Sequence, residues 1–136
     1  MKTFYLEILS PERVFYRGDC VSLMLPISDG MLGIMANREP VIASIKVGEA
    51  KYTKPDGETV RFSVAGGMIE VTENKVVMLC DIALLPEEID ESKEEEEVRK
   101  AQLEMSKTKS RKEYQLSELM LSKAVNNLKV KKKTID

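Results

Sequence analysis

The chain has 136 residues, a hydrophobic fraction of 43%, a formal net charge of -2 and no histidine. That length suits one domain, or one domain with an appendage, and the slight acidity argues against bulk binding to nucleic acid. The lack of histidine excludes His-based triads and His-ligated metals, leaving Asp, Glu, Lys, Arg and Cys as possible reactive groups. Aromatics are only 5%, with no tryptophan, so the core has to be built from Val, Ile, Leu and Met. The eight methionines can fill core gaps or give adaptable contacts at an interface.

The opening MKTFYLEIL is not read as a secretory signal, because Glu7 interrupts a short apolar run and no small-residue cleavage site follows. Thr3 to Leu9 alternates and stops at Ser10-Pro11, the pattern of a strand ended by a turn. Val14 to Tyr16 is a second short strand before Arg17-Gly18-Asp19, and Cys20 to Ile27 a third, with Val21, Leu23 and Leu25 on one face. Ser28-Asp29-Gly30 is a turn, followed by the apolar stretch Met31 to Met35. Ala36 to Pro40 is polar and reads as a loop, whereas Val41 to Val47 has no clear period. Pro55-Asp56-Gly57 is a hairpin turn with a mechanism: proline presets φ and glycine accepts the left-handed position.

Val60 to Asp81 is the most informative stretch. Val60, Phe62 and Val64 alternate with Arg61 and Ser63, then Ala65-Gly66-Gly67 breaks the pattern before Met68 to Thr72. Glu73-Asn74 is a tight turn, since asparagine tolerates positive φ, and Lys75 to Cys80 resumes as a strand with Val77 and Leu79 on one face. The result is an antiparallel meander with a glycine-relieved corner, which needs more sheet to cover its apolar face. Many short strands with closely spaced turns predict a β sandwich or barrel up to about residue 85.

The character changes at Pro86. From Glu87 to Glu97 there are eight acidic residues and one basic residue, Lys93, and neither proline nor glycine occurs afterwards. Pro86 suits a first helical position, with Glu87 and Glu88 at the positive end of the helix. Val98, Ala101 and Met105 share one face. Ser106 to Ser110 breaks the helix, and Ser110 with Glu113 forms a capping box that opens a second one. Its stripe is Tyr114, Ser117, Leu121, Ala124, Val125 and Leu128, flanked by Leu119 and Met120. The division expected is therefore a β domain over 1–85 and an αα-hairpin over 86–136. The hairpin is narrow-striped, marginal by itself and free to move relative to the β domain.

Little here suggests chemistry. No nucleophile has an adjacent base. Gly30-x-x-Gly33 and Gly66-Gly67 do not follow a strand and open a helix, so they read as structural corners rather than phosphate loops. The carboxylates of Glu94 to Glu97 point in successive directions around a helix and read as a solvated face, not a cation site. Cys20 and Cys80 fit no ligand spacing; they are reduced core thiols, or a disulfide if their strands are neighbours. Asp29, Arg38 and Glu39 are charged loop residues, either partner contacts or simply solvent-facing. Lys129 to Lys133 is a basic end, read either as a complement to the helix dipole or as a contact for an acidic or anionic surface.

Three segments in order carry a resemblance: DGMLGIMANREPVIASIKVGEAKY over 29–52, VAGGMIEVTENKVVMLCDIA over 64–83 and EEID over 87–90. Together they resemble the epsilon subunit family of the F-type ATP synthase. Family members show G-x-x-G-I-L-P-x-H-x-P-L-L-T-x-L-x-x-G, then G-G-x-L-E-V, then N-x-V-x-V-L-A-D, then I/L-D-x-x-R-A. The match covers nearly the whole chain. It implies a β sandwich of about ten short strands followed by a C-terminal αα-hairpin, in a non-catalytic rotor subunit. It also implies partners: the gamma subunit of the central stalk, the ring of c subunits near the segment from Gly30 to Pro40, and the alpha/beta catalytic hexamer, reached by the hairpin to restrain ATP hydrolysis. The setting implied is peripheral, on the cytoplasmic face of a bacterial cell membrane. The alternatives are an ATP-sensing regulatory subunit and an unrelated β-domain adaptor.

Residue by residue, the resemblance makes Asp29, Met31, Arg38 and Glu39 candidate contacts of the β domain. Lys123, Lys129, Lys131, Lys132 and Lys133 are the candidate contacts of the hairpin, where a basic helix is steered toward an acidic surface. The chain departs from the pattern at three places. Met35-Ala36 stands for Leu-Pro, which leaves a φ unfixed. Arg38 stands for the loop histidine and carries a permanent charge. In the helix start that binds ATP in some members, Lys93 stands for arginine and Glu94 for a small neutral residue. The planar bidentate fork is lost and the run to Glu97 repels a polyphosphate. No cofactor is therefore expected; Asp90, Lys93, Lys100 and Lys123 are the positions on which ATP binding would fall.

Overall fold

The computed structural model describes residues 2–135, Thr134 and Ile135 by backbone alone. The chain divides into two compact units, Met1–Leu84 and Leu85–Asp136. The first holds eight strands: β1 (Phe4–Leu9), β2 (Val14–Cys20), β3 (Ser22–Ile27), β4 (Gly30–Met35), β5 (Val41–Ser44), β6 (Gly48–Thr53), β7 (Thr59–Thr72) and β8 (Lys75–Leu84). The second holds a 3₁₀ turn at Pro86–Glu88 and two helices, α1 (Glu91–Lys107) and α2 (Arg111–Ile135). This is the β sandwich with a helical hairpin that the resemblance implies.

The strands are hydrogen-bonded in the order β2-β1-β8-β7-β6-β3-β4, with β5 also on β7. The network makes two layers because β7 and β8 bend and contribute to both. The first half of β7 pairs with β6, from Thr53↔Thr59 to Gly48↔Val64, and its second half pairs with β5, from Ser44↔Met68 to Val41↔Val71. The first half of β8 pairs in parallel with β1, from Tyr5↔Lys75 to Leu9↔Leu79.

The bend inverts the side-chain phase. On β7, Phe62 and Val64 are buried before the corner and Ile69 and Val71 after it; on β8, Val76, Met78 and Cys80 are buried, then Ala83. Among the residues of the apolar core cluster even positions give way to odd ones with no slip of register against β8, which takes a sharp turn of the backbone. Gly66 and Gly67 supply it, at φ +66° and +108°. A Cβ on Gly67 would lie 1.8 Å from the Leu79 carbonyl oxygen, so only glycine fits.

The strand count is eight rather than about ten. β7 runs unbroken for 14 residues through the glycine corner instead of forming two strands, because its pairing to β8 keeps one register on either side. β2 likewise continues through Arg17-Gly18-Asp19 to Cys20, and β5 is only four residues. The Glu73-Asn74 turn has both residues at positive φ, and Lys54 to Glu58 closes the β6–β7 hairpin through Gly57 N–H on the Lys54 carbonyl at 2.9 Å.

Between the layers lies a core that includes Phe4, Leu6, Ile8, Leu23, Leu25, Phe62, Ile69 and Met78, all at most 2% exposed. The few aromatics are concentrated: Phe15–Phe62 ring centroids are 4.8 Å apart and Tyr16–Tyr52 4.4 Å. Cys20 and Cys80 are both buried and free, so the disulfide alternative is excluded.

In the second unit Pro86 does not begin the main helix. It opens the 3₁₀ turn, Ile89 is extended and buried, and α1 starts after the N-cap Asp90. Asp90 takes that role because its carboxylate accepts the Lys93 amide at 3.2 Å. At the second start Ser110 Oγ accepts the Glu113 amide at 3.3 Å. The Glu113 carboxylate accepts from the Thr108 hydroxyl at 2.7 Å instead of returning to Ser110. The capping box is thus relayed through Thr108, whose Oγ1 accepts the Ser110 amide at 3.2 Å. The helices bury Ala101 from α1 and Ser117, Ala124, Asn127 and Val130 from α2. Tyr114, expected on the stripe, is 41% exposed.

Candidate functional site

The outward side of one layer is not the polar surface that a sandwich usually presents. Strand register puts Ser44, Met68, Leu79, Leu9 and Val14 in one row across β5, β7, β8, β1 and β2. Met68 is 48% exposed, Leu79 53% and Val14 49%. The adjacent row is Ile42, Glu70, Val77, Glu7 and Arg17. It carries Ile42, 67% exposed, at the β5 end and a Glu7–Arg17 ion pair of 3.8 Å at the other. An open groove of about 660 Å³, lined by Leu9, Pro11, Met68, Leu79 and Asp81 among others, runs beside the first row. A contiguous apolar band of this kind rimmed by charge is the anatomy of a protein-binding surface.

Ile42, Met68, Leu79 and Val14 are absent from the candidates read from the sequence. The signal was available: Met68 and Leu79 occupy alternate positions opposite Ile69, Met78 and Cys80, so one of the two apolar faces had to lie outside. Which one could not be told without the corner.

The β-domain candidates fall on both sides of β4. Asp29 lies in the two-residue turn between β3 and β4, Met31 is on β4, and Arg38 and Glu39 follow it. Asp29 and Arg38 lie at opposite ends of β4, whose Leu32 and Ile34 pair with Leu25 and Leu23. All four candidates are exposed. β4 is an edge strand, and Met31 and Met35, on the same face, are 55% and 64% exposed. After β4 the chain turns at Asn37, φ +66°.

On the hairpin the four ATP positions are spread over both helices and the cap that precedes α1. Asp90 is occupied as a helix cap, Lys93 and Lys100 are exposed on α1, and Lys123 is half-buried on α2. The half-buried residues along that part of α1 are Glu91, Glu94, Glu97 and Val98, so carboxylates rather than lysines flank the buried stripe. Glu96 pairs with Arg99, which holds its carboxyl below the usual range, and Glu97 lies 3.9 Å from Lys100. The acidic run is a fanned, solvated face, and among the described residues no three acidic or cysteine side chains converge on a metal position. Lys129, Lys132 and Lys133 are exposed and Lys131 half-buried, with Lys132 and Lys133 in the last turn at the negative end of the dipole. Leu103, Leu116, Leu119 and Met120 are apolar and exposed, Leu116 at 59%.

The two cysteines are poor nucleophiles. The Cys20 thiol donates to the Ser22 carbonyl at 3.0 Å, and burial raises its pKa. Burial pushes the Cys80 thiol up to about 12. Neither is a thiolate at neutral pH. No helix among the described residues is long and apolar enough to cross a membrane.

Residues 3–86 match the family described as ATP synthase, Delta/Epsilon chain, beta-sandwich domain. The ATP synthase epsilon chain of Caldicellulosiruptor bescii is 35% identical over 130 residues, 96% of this chain and 94% of that one. That of Clostridium novyi is 33% identical, covering 95% of this chain and 98% of its own length. Among solved structures, a chain of the Euglena gracilis mitochondrial ATP synthase, OSCP/F1/c-ring, has a TM-score of 0.79 at 15% identity, covering 98% of this chain and 82% of that one. A chain of the Tetrahymena thermophila mitochondrial ATP synthase central stalk/c-ring has a TM-score of 0.66 at 13% identity, with 96% and 97% covered. At these identities the structures establish the fold.

Proposed function

This chain belongs to the ATP synthase delta/epsilon family and is of the epsilon-chain type, and from that premise we propose that it is a non-catalytic rotor subunit. Its β sandwich joins the central shaft to the ion-translocating ring, and its helical hairpin tunes ATP hydrolysis. It works at the membrane surface as a peripheral part of the complex, on the cytoplasmic face of a bacterial cell.

The observation that carries the reading is the outward row Met68, Leu79, Leu9 and Val14. A sandwich whose core is already complete has no use for these groups unless another protein covers them. The shaft subunit, gamma, is the partner assigned to that face. The exposed methionines of edge strand β4, with Arg38 and Glu39 beyond it, form a second surface, assigned to the ring of c subunits; Asp29, in the turn that opens β4, joins it. Met31 and Met35 suit a ring of repeated subunits, because flexible thioether chains adapt to slightly different neighbours as the contact is made.

For the hairpin the partner is the catalytic alpha/beta hexamer. Exposed Leu116, Leu119 and Met120 supply apolar contact, and Lys123, Lys129, Lys131, Lys132 and Lys133 supply charge for an acidic surface. That attraction weakens as salt rises. No nucleotide is needed in this scheme.

Two measurements test it. Met68→Lys with Leu79→Lys, both on an exposed face, should weaken capture of purified gamma at least tenfold while the thermal midpoint of the free chain stays within a few degrees. Unchanged capture would overturn the assignment of that face. In the reconstituted complex, a chain ending after Leu85 should raise ATP hydrolysis relative to the full chain; equal rates would remove the regulatory role and leave the structural one.

A further inference from the structure

One side chain ties together three segments that are far apart in sequence. Asn74 sits in the β7–β8 turn at φ +63°. Its side-chain oxygen accepts the Asn37 backbone amide at 2.6 Å, from the loop that follows β4. Its Nδ2 donates to the Thr3 carbonyl at 3.5 Å, and its own carbonyl accepts the Tyr5 amide at 2.9 Å. The start of β1, the β7–β8 turn and the loop over residues 36–40 are thus held at one residue.

The loop has little else to order it. Ala36 carries no ring to fix its φ, and Asn37 is in the left-handed region, which a non-glycine residue occupies only at some cost. The amide of that strained residue is the group that Asn74 binds. The next two residues are Arg38 and Glu39, both exposed. We infer that Asn74 is a positioning residue: by holding Asn37 in its left-handed conformation it aims Arg38 and Glu39 at the ring partner. The inference rests on the proposed ring contact of this loop and deepens it, since neither Arg38 nor Glu39 could hold a fixed geometry on an untethered turn.

The test separates the side chain from the turn that carries it. Asn74→Gly keeps the positive φ of the turn, which glycine accepts freely, but removes both side-chain hydrogen bonds. Asn74→Asp keeps an acceptor for the Asn37 amide and tolerates the left-handed conformation. Amide exchange of the free full chain should be about fivefold faster at Asn37 in Asn74→Gly, as loss of one hydrogen bond implies, and near the parent rate in Asn74→Asp. In the reconstituted complex, ions pumped per ATP hydrolysed should fall about twofold for Asn74→Gly and recover for Asn74→Asp. A general loss of stability would not produce that rescue. Unchanged exchange at Asn37 overturns the clamp; faster exchange with an unchanged pumping ratio overturns the positioning role. Arg38→Ala with Glu39→Ala tells the two readings apart. If that pair lowers the ratio and Asn74→Gly does not, only the positioning inference fails. If the pair leaves the ratio unchanged, the ring contact fails, and the inference with it.

Discussion

The two units of this chain are held together by different means. The largest fully buried side chains, among them Phe62, Leu6, Ile8, Leu23 and Ile69, all belong to the sandwich. The hairpin buries Ile89, Ala101, Ala124 and Val130, together with the polar Ser117 and Asn127. Small residues let α1 and α2 approach closely but remove little apolar area from water, at roughly 25 cal/mol per Å². The sandwich is built to keep one shape under load. The hairpin, with a smaller apolar core, is the less firmly held of the two.

That contrast can be broken first at the sandwich core. Phe62→Ala should destabilise the β unit by about 3–5 kcal/mol, read as a fall in the urea midpoint followed by near-ultraviolet circular dichroism. A loss below about 1 kcal/mol would mean that the core is far looser than its burial implies. Gly67→Ala comes next, at about 3 kcal/mol, because a φ of +108° and a Cβ 1.8 Å from the Leu79 carbonyl oxygen force the corner to move. A well-folded Gly67→Ala chain with the parent midpoint would overturn the account of the phase inversion.

The hairpin should respond on a smaller scale. Asp90→Ala removes the cap from α1 and should cost about 1 kcal/mol, seen as a partial loss of helical ellipticity at 222 nm that begins at lower temperature than in the parent. A further test is one of pH. Burial pushes Cys80 from 9.0 up to about 12 and Tyr52 from 10.0 to about 12. Thiol and phenol are neutral when protonated, so the folded chain keeps these protons after the unfolded chain has released them. Their contribution to stability is then level below pH 9 and declines as pH rises from 9 toward 12. Urea midpoints at pH 8, 10 and 11 should show it, and Cys80→Ala should make the decline shallower, with buried Cys20 still contributing.

Much of the fold was legible because the decisive signals are local. Alternation over Val60 to Val64, Pro55-Asp56-Gly57 and Glu73-Asn74 each specify a strand or a turn within a few residues. So do the helix signals around Ser110. What stayed hidden depends on distant partners. Val76 to Cys80 is apolar at every position, so its period could not say that Val76, Met78 and Cys80 face inward while Val77 and Leu79 face out. The exposed apolar face was missed for that reason. That Asp90 caps α1, while Pro86 opens only a short 3₁₀ turn, was hidden because it rests on one hydrogen bond from the Lys93 amide. The bond from Asn37 to Asn74 spans 37 residues and leaves no mark on either local pattern.

The parallel pairing of β1 with β8 bears on how the protein is made. Each pair in that ladder joins residues 70 apart, as in Tyr5 with Lys75. During translation the strand that emerges first must therefore wait, with Phe4, Leu6 and Ile8 uncovered, until almost the entire sandwich has left the ribosome. Non-local pairing of this kind forms slowly and leaves apolar groups open to aggregation in the interval. A nascent chain released before Leu79 is clear of the exit tunnel should be a substrate for chaperones rather than a folded domain.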